Sequence, residues 1–474
     1  MIHPSQPEIE RLRGSVWDVV VAGGGNAGLV AALSARERGA RVLLLERAPR
    51  HMRAGNTRHT RNIRCAHDAA DAYYTGPYSV DELLEDLKSV GRPVNLDLAC
   101  FAVQESRTIP QWMTAHGVKW QRALRGTLNL GRTNRFFLGG GTALMNHYYR
   151  MAEIEGVEIV YQATVADVVL DGRRAREVVV RTPDGPVALA CNAVVIASGG
   201  FEANIDWLKR YWGDAADNYL IRGTPYNDGL ILARLIELGA ATAGDPKGFH
   251  AIGIDARSPK FDGGIATRSD AIPYSIVVNR DGRRFADEGQ DLWPKRYASW
   301  GRLIAEQPGQ LAYAIYDSRV KDLFIPSMYR AFEAGSIAGI AEALGLDPVS
   351  LQSTVEQFNV AVSDDRAFDP TKLDGRRTDG ITPPKSNWAV RIERPPLFAL
   401  PLRPGITFTY MGLAVNEHAK VAMAGGGEFD NVYAAGEVMS GNILSSGYLA
   451  GFGLTIGHVF GRIAGREAAG HAAG

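Results

Sequence analysis

The chain has 474 residues, material for about three domains at roughly 150 residues each. Its 52 basic and 52 acidic residues cancel, so the surface as a whole has no attraction for nucleic acid or an anionic membrane. With 46% hydrophobic and 22% charged residues it is neither disordered, collagen-like nor a disulfide scaffold, but its 53 glycines are about 11% of the chain against a usual share of roughly 7%.

The N-terminal segment has no apolar stretch of the secretory type, so the cytoplasm is the expected location. The run Trp17-Asp-Val-Val-Val-Ala22 reads as a buried strand. Gly23-Gly-Gly25-Asn-Ala-Gly28 follows at once, then apolar residues at helical spacing over 29–38, then a second strand ending at Glu46. A strand, glycines, a helix, a strand and a terminal acid form a dinucleotide-binding β-α-β unit. Its first glycine permits the tight turn, the second lets backbone amides approach a pyrophosphate, and the third lets helix and strand pack closely. Glu46 is positioned to bind an adenosine ribose.

Helices are predicted over 80–90, 98–116 and 142–155. Strands follow over 157–163, 165–170, 175–182 and 187–191, with turns at Asp171-Gly172 and Asp184-Gly185, as in a meander. A further buried strand at 193–197 runs into Gly199-Gly200, and a helix is expected to open after Asp228-Gly229. Residues 246–400 are rich in proline and mixed short elements and read as an inserted domain. The expected organisation is therefore a nucleotide-binding domain of residues 1–245 and 401–474, split by a capping domain of 246–400. Residues 438–461 lack charged side chains over a membrane-spanning length, but six glycines and a polar start predict a buried loop leading into a closely packed helix.

Only 10 of the 52 basic residues are lysine. Arg53, Arg58, His59, Arg61, Arg64 and His67 crowd into fifteen residues with no acid among them. Such a segment neutralises a pyrophosphate, grips a polycarboxylate through guanidinium forks, or forms a solvated face, and the polycarboxylate role is the favoured one. Cys65 within it reads as a buried bystander. The three cysteines form no haem, cluster or zinc ligand set, so no metal is expected and an odd count suits a reducing compartment. Neither a G-x-S-x-G nor an H-E-x-x-H motif is present, which argues against serine and zinc hydrolases.

The motifs Val19-Val-Val-Ala-Gly-Gly-Gly-Asn-Ala-Gly28 with Glu46, Gly55-Asn56-Thr57, Ala197-Ser-Gly-Gly-Phe201, Asn227-Asp-Gly229, Asn279-Arg-Asp-Gly-Arg-Arg-Phe285 and Asn431-Val-Tyr-Ala-Ala-Gly-Glu437 span nearly the whole chain. In these the sequence resembles the flavoprotein subunits of fumarate reductase and succinate dehydrogenase and their desaturase relatives. Arg58-His-Thr-Arg-Asn-Ile-Arg64 and Gly139-Gly-Gly-Thr-Ala-Leu-Met145 are most similar to the tricarballylate dehydrogenase branch, which oxidises propane-1,2,3-tricarboxylate to cis-aconitate.

The resemblance implies an α/β fold, with a Rossmann-like parallel sheet and β-meander split by an α+β cap, and FAD as cofactor. It implies that Gly23, Gly25, Asn26, Ala27, Gly28, Glu46, Arg47, Asn56, Thr57, Val165, Ser198, Gly199, Asp228, Glu437, Asn442 and Leu444 hold the cofactor. Asn56 stands where some relatives carry a flavin-linked histidine, so noncovalent FAD is expected, with His59 as the nearby residue able to form a link. Arg58, His59, Arg61, Arg64 and Tyr410 are the expected substrate ligands, and Arg296, in Lys295-Arg-Tyr-Ala-Ser299, the expected acid/base that accompanies hydride transfer to flavin N5.

Two departures from fumarate reductases, Thr409-Tyr410-Met411-Gly412 without a histidine and Asn442-Ile443-Leu444 without an arginine, remove two carboxylate ligands. Either the 58–64 cluster replaces them or the substrate is neutral. The chain carries no second dinucleotide fingerprint, so electrons are expected to pass to a separate acceptor: a redox protein at the inner membrane, to which the chain binds peripherally, or quinone or oxygen. The rival readings are a desaturase or ene-reductase of the same family acting on a fumarate- or succinate-like acid, a 3-ketosteroid or another enone, and a noncatalytic or NAD-binding module.

Overall fold

The computed structural model describes residues 9, 11–123, 130–182 and 185–474; Asp184 of the expected second hairpin turn and most of the first ten residues lie outside them. Strand Trp17–Ala22 lies at the centre of a parallel sheet, paired with Val42–Glu46 on one side and Gly185–Ile196 on the other. Glu158–Tyr161 and Glu428–Ala434 extend it in parallel, and Lys420–Ala422 closes one edge in antiparallel sense. Helices Asn26–Arg36 and Phe452–Ala473 pack against it, so its central strands are apolar without alternation.

The same two helices explain part of the glycine excess. A Cβ added at Gly461 would lie 2.7 Å from the carbonyl oxygen of Ala27, and one at Gly465 would lie 2.1 Å from that of Ala31. The chain that resembles a membrane span is thus a loop followed by a helix pressed backbone-to-backbone against the nucleotide-site helix. Among the described residues, no helix is long and apolar enough to cross a membrane.

Two expectations are corrected. The separate strands at 187–191 and 193–197 are one strand, Gly185–Ile196, whose first half pairs antiparallel in the meander and whose second half enters the parallel sheet. The Asn431 side chain holds this junction by donating to the carbonyls of Ala175 at 2.8 Å and Asn192 at 2.6 Å. The helix expected over 98–116 is instead Leu96–Glu105 and Ile109–Ala115, separated by the 3-10 turn Ser106–Thr108. Pro110 lacks the amide hydrogen that would continue the preceding helical ladder and is tolerated in a first turn, so a new helix starts at Ile109.

A second, six-stranded sheet is built around Leu397–Thr409, flanked by Phe249–Asp255 and Ala312–Asp317 in antiparallel sense. Helices Ile337–Leu344 and Pro348–Ala361 contribute to its own apolar core. The short strand Leu220–Ile221 pairs with the same central strand, so the expected boundaries at 245 and 400 cut through one sheet. This long strand delivers Thr407, Phe408 and Thr409 from the second sheet to the mouth of the first.

Candidate active site

An open cavity runs from the first glycine turn to the second sheet. Its two ends differ in chemistry.

The first end is a backbone cradle. Gly23 has φ of 110°, and a Cβ there would lie 2.3 Å from the Ala197 carbonyl oxygen; at Gly28 it would lie 1.9 Å from the Gly23 oxygen. Only glycine fits either position. The amides at the start of helix Asn26–Arg36 therefore open onto the cavity, where Gly23, Gly25, Asn26 and Ala27 line the wall; Gly28 packs just behind. Thr57 Oγ1 accepts from the Asn26 amide at 3.1 Å, which joins the 55–59 turn to the same helix start. The buried Glu46 carboxylate accepts from the Gly24 amide at 3.0 Å and the Ala48 amide at 2.7 Å. Burial raises its pKa, and these amides oppose the rise. Arg47 forks onto Asp228, with one of its two bonds at 2.7 Å, and Val165, Ser198 and Gly199 complete the wall. Ser198 Oγ is buried without a partner. A cradle that a Cβ would fill, open helix amides and an orphaned hydroxyl fit a dinucleotide diphosphate with its ribose.

In the cavity wall, Asn56 and Asn227 clamp two buried acids, Glu437 in the wall and Glu202 off it. Asn56 Nδ2 donates to Glu202 at 2.6 Å and to the Thr407 carbonyl at 2.6 Å, while Asn227 Nδ2 donates to Glu202 at 2.9 Å. Glu437 sits within 3.4 Å of both amide groups and accepts from the Thr409 amide at 2.9 Å. Burial raises the pKa of both carboxyls, and neighbouring Glu202 raises that of Glu437 further. The pair therefore holds a proton in place of a second charge. Glu202 was not anticipated from sequence.

The second end is cationic. Arg61, Arg222 and Arg268 line it together with His250, Tyr297 and Tyr448. Arg222 is fully buried, and its Nε and Nη1 have no hydrogen-bond partner; neither has Arg268 Nε. Burial, and then mutual repulsion, push both Arg61 and Arg222 down to about 10. Asp270, which receives Arg268 at 2.6 Å and the Trp293 indole at 2.7 Å, is the carboxylate that partly balances them.

Several expected residues lie elsewhere. Arg58 and His59 both bind Asp262, so their charges meet an acid of the inserted segment; His59 still borders the cavity, with its pKa pushed down to about 4 mainly by burial. Arg64 is buried behind the wall, donating to the Ala450 carbonyl at 2.9 Å and the Tyr78 hydroxyl at 2.9 Å. Tyr410 donates to the Gly447 carbonyl at 2.9 Å and does not reach the wall. Of the four expected substrate residues of the basic segment, Arg61 alone presents its guanidinium to the cationic end.

Asn442 donates to the Leu413 carbonyl of strand Gly412–Leu413 at 2.9 Å and to the Met439 carbonyl of its own loop at 2.6 Å, and Leu444 is in the core; neither lines the cavity. Arg296 is also off the wall, near Asp287 and Asp291, while its neighbour Tyr297 faces the cavity. Cys65 is fully buried and its thiol is pushed up, as suits a bystander. Arg222, Arg268 and His250 were missed because each stands alone in sequence; the one available signal was Arg222 five residues before Asn227-Asp-Gly229.

A family model described as FAD binding domain matches residues 18–454. A probable fumarate reductase of Shewanella frigidimarina is 26% identical over 478 residues, covering 96% of this chain and 75% of that protein. The NADH:fumarate oxidoreductase of Klebsiella pneumoniae is 26% identical over 480 residues, 97% of this chain and 48% of that longer protein. Among solved structures, an open conformation of a flavocytochrome c3 fumarate reductase superposes with a TM-score of 0.73 at 22% identity, over 99% of this chain and 82% of the other. A 3-ketosteroid-delta4-(5alpha)-dehydrogenase from Rhodococcus jostii does so with 0.72 at 22% identity, over 99% and 100%. The two structural likenesses bear on the fold alone.

Proposed function

Because the chain belongs to the FAD-binding family of the fumarate reductase and succinate dehydrogenase flavoproteins, an enzyme family with FAD as cofactor, we propose that it dehydrogenates a CH–CH bond of a small polycarboxylate, tricarballylate to cis-aconitate. The observation that carries this reading is the convergence of Arg61, Arg222 and Arg268, three guanidiniums for three carboxylates, with buried N–H groups on two of them lacking any partner. Burying such charges costs several kcal/mol each unless an anion meets them. A neutral steroid would leave them unmatched.

Gly23, Gly25, Asn26, Ala27 and Gly28 would hold the FAD diphosphate, Glu46 the ribose, and Arg47, Thr57, Val165, Ser198, Gly199 and Asp228 the rest of the cofactor's wall. Noncovalent binding is supported by Asn56, an amide with both ends engaged, and by the tie of His59 to Asp262. Bound FAD supplies a hydride acceptor. The protein's part is to hold the acid by its carboxylates, keep water out at the buried arginine end, and receive the proton released with the hydride. Electrons then pass to a separate acceptor, a membrane-bound redox protein, quinone or oxygen.

The test is dye reduction by purified holoenzyme with tricarballylate, succinate and a 3-ketosteroid. Turnover of tricarballylate at the highest kcat/KM is the expected result. Turnover of the steroid alone would replace the polycarboxylate reading with the ketosteroid one, and a protein that takes up no flavin would remove both.

A further inference from the structure

Hydride transfer carries one negative charge into the cofactor site with the electron pair, and a buried charge needs a partner or a proton. The reacting part of the cofactor has to lie between the dinucleotide cradle and the arginine end, since hydride passes only over contact distance. Asn56 joins those two regions. Its neighbour Thr57 holds the Asn26 amide of the cradle, and its own Oδ1 accepts from the Thr224 amide at 2.7 Å, two residues from Arg222. Glu202 and Glu437 meet the Nδ2 of this same Asn56, so they stand beside that stretch of the wall.

The two acids are built as a pair. Both are buried, Glu202 completely, and their side chains hydrogen-bond to each other. Two carboxylates are acceptors only, so that bond requires a proton. Among the described residues, Glu202 Oε2 is the one buried carboxylate oxygen with no other partner. It and Glu437 Oε1 both face Gly200, where an added Cβ would come within 2.9 Å of the first and 2.3 Å of the second. Glycine leaves the room in which the two oxygens meet. Glu202 Oε1 takes the Asn56 and Asn227 amides at 2.6 and 2.9 Å, whereas Glu437 Oε2 has the same two amides at 3.4 Å. The weakly held oxygen thus belongs to the acid that lines the cavity.

Among the described residues no ion pair reaches either acid: Arg58 and His59, next along the Asn56 turn, are engaged by Asp262, and Asp228, beside Asn227, by Arg47. Tyr448 is the titratable group that acts on Glu437 from the C-terminal loop, and burial keeps its phenol protonated. Burial disposes both acids toward taking a proton, and a negative charge arriving next to them increases that tendency.

We propose that Glu202 and Glu437 are a proton store for the cofactor: one proton lies between Glu202 Oε2 and Glu437 Oε1 when the cofactor is oxidised, a second joins at Glu437 Oε2 when it is reduced, and that second proton leaves as the electrons pass on. The inference rests on FAD as the cofactor and not on the identity of the acid substrate. The balance closes. The substrate gives one hydride to FAD and one proton to solvent, and a proton from solvent enters the pair to offset the charge delivered with the hydride. When two electrons leave for the separate acceptor, the hydride's proton and the stored one return to solvent.

The test needs no substrate. The midpoint potential of the bound flavin is measured against mediator dyes from about pH 6 to 9 in wild type, Glu202→Gln and the double variant Glu202→Gln/Glu437→Gln, and its slope is read as protons bound per two electrons. Both variants are expected to keep FAD, because an amide replaces a carboxyl of the same shape. Wild type should bind up to about one proton more than either variant through the neutral range, since a lone buried Glu437 keeps its proton in both states. Redox difference infrared spectra of wild type should gain a protonated-carboxyl stretch on reduction, and neither variant should show it. The assignment is overturned if the slopes agree to within about 0.2 proton throughout, or if wild type gains no carboxyl band. It is also overturned if Glu202→Gln keeps the full uptake and only the double variant loses it, which would leave Glu437 acting alone. Because dyes replace the substrate, a failure of the polycarboxylate reading changes none of these outcomes.

Discussion

Arg222 shows how a single side chain acquires its role. Its amide donates to the Ile406 carbonyl at 2.7 Å and its carbonyl accepts from the Gly264 amide at 2.9 Å, so both chain segments that meet at the cavity fix its backbone. Its guanidinium is then left with unpaired N–H groups in a buried wall. Replacing it by glutamine should raise KM for tricarballylate by about 10–150-fold, the worth of a hydrogen bond to a charged group, with FAD content unchanged. Equal KM in Arg222→Gln would show that the cationic end does not hold the acid.

Glu202 and Glu437 make a second residue-scale prediction. Their folded pKa values are raised, so the stability they contribute is present below the ordinary carboxylate value and is lost as pH rises toward the raised ones. Glu202→Gln removes that loss while keeping a side chain that can accept from Asn56 and Asn227. The flavin-free variant should therefore melt higher than flavin-free wild type at pH 8, with the difference shrinking toward pH 4.5. A difference that is constant across this range would place the proton elsewhere.

Among the elements, helix Phe452–Ala473 offers two glycines with opposite expectations. A Cβ at Gly465 would lie 2.1 Å from the backbone oxygen of Ala31, whereas at Gly470 nothing lies within 4 Å. Gly465→Ala should destabilise by about 1–3 kcal/mol through overpacking and loosen the nucleotide-site helix, and Gly470→Ala should stabilise by up to about 1 kcal/mol through helix propensity. Thermal melts of the two holoenzymes test the pair, and the same sign for both would contradict the packing argument. At this scale the sequence was readable: β-branched runs, glycine punctuation and helical spacing each depend on neighbours within a few positions. The junction at Asn192 and the break before Pro110 were not, because the first depends on Asn431 from the far end of the chain and the second on competition between local signals.

For the whole molecule, the decisive contact is Asp262 with Arg58 and His59, which ties the inserted segment to the nucleotide-binding unit beside the cavity. The Asp262 amide also donates to the Gly223 carbonyl at 2.9 Å, next to Arg222. Asn tolerates the positive φ of 61° at this position, so Asp262→Asn removes charge with little backbone strain. The expected result is about a tenfold rise in KM and faster amide exchange around 222–224 and 262–264, with FAD retained. Unchanged exchange would mean that the ion pairs do not hold the two units together.

The basic segment 53–67 shows where sequence reading stops. Its composition pointed to an anion site, yet the fold gives Arg58 and His59 to Asp262, Arg64 to a carbonyl and a tyrosine, and only Arg61 to the cationic end. By itself the sequence determined the dinucleotide cradle and the parallel sheet around it, because a glycine turn, its strand and its helix are contiguous and their geometry is local, while FAD and the oxidoreductase class followed from the family resemblance of motifs spread along the chain. The tertiary structure alone decided which arginines converge, that His250 stands unpaired among them, and that Arg296 turns away. Those side chains come from segments up to 207 positions apart, and only the pairing of strand Leu397–Thr409 with both halves of the molecule brings them to one wall.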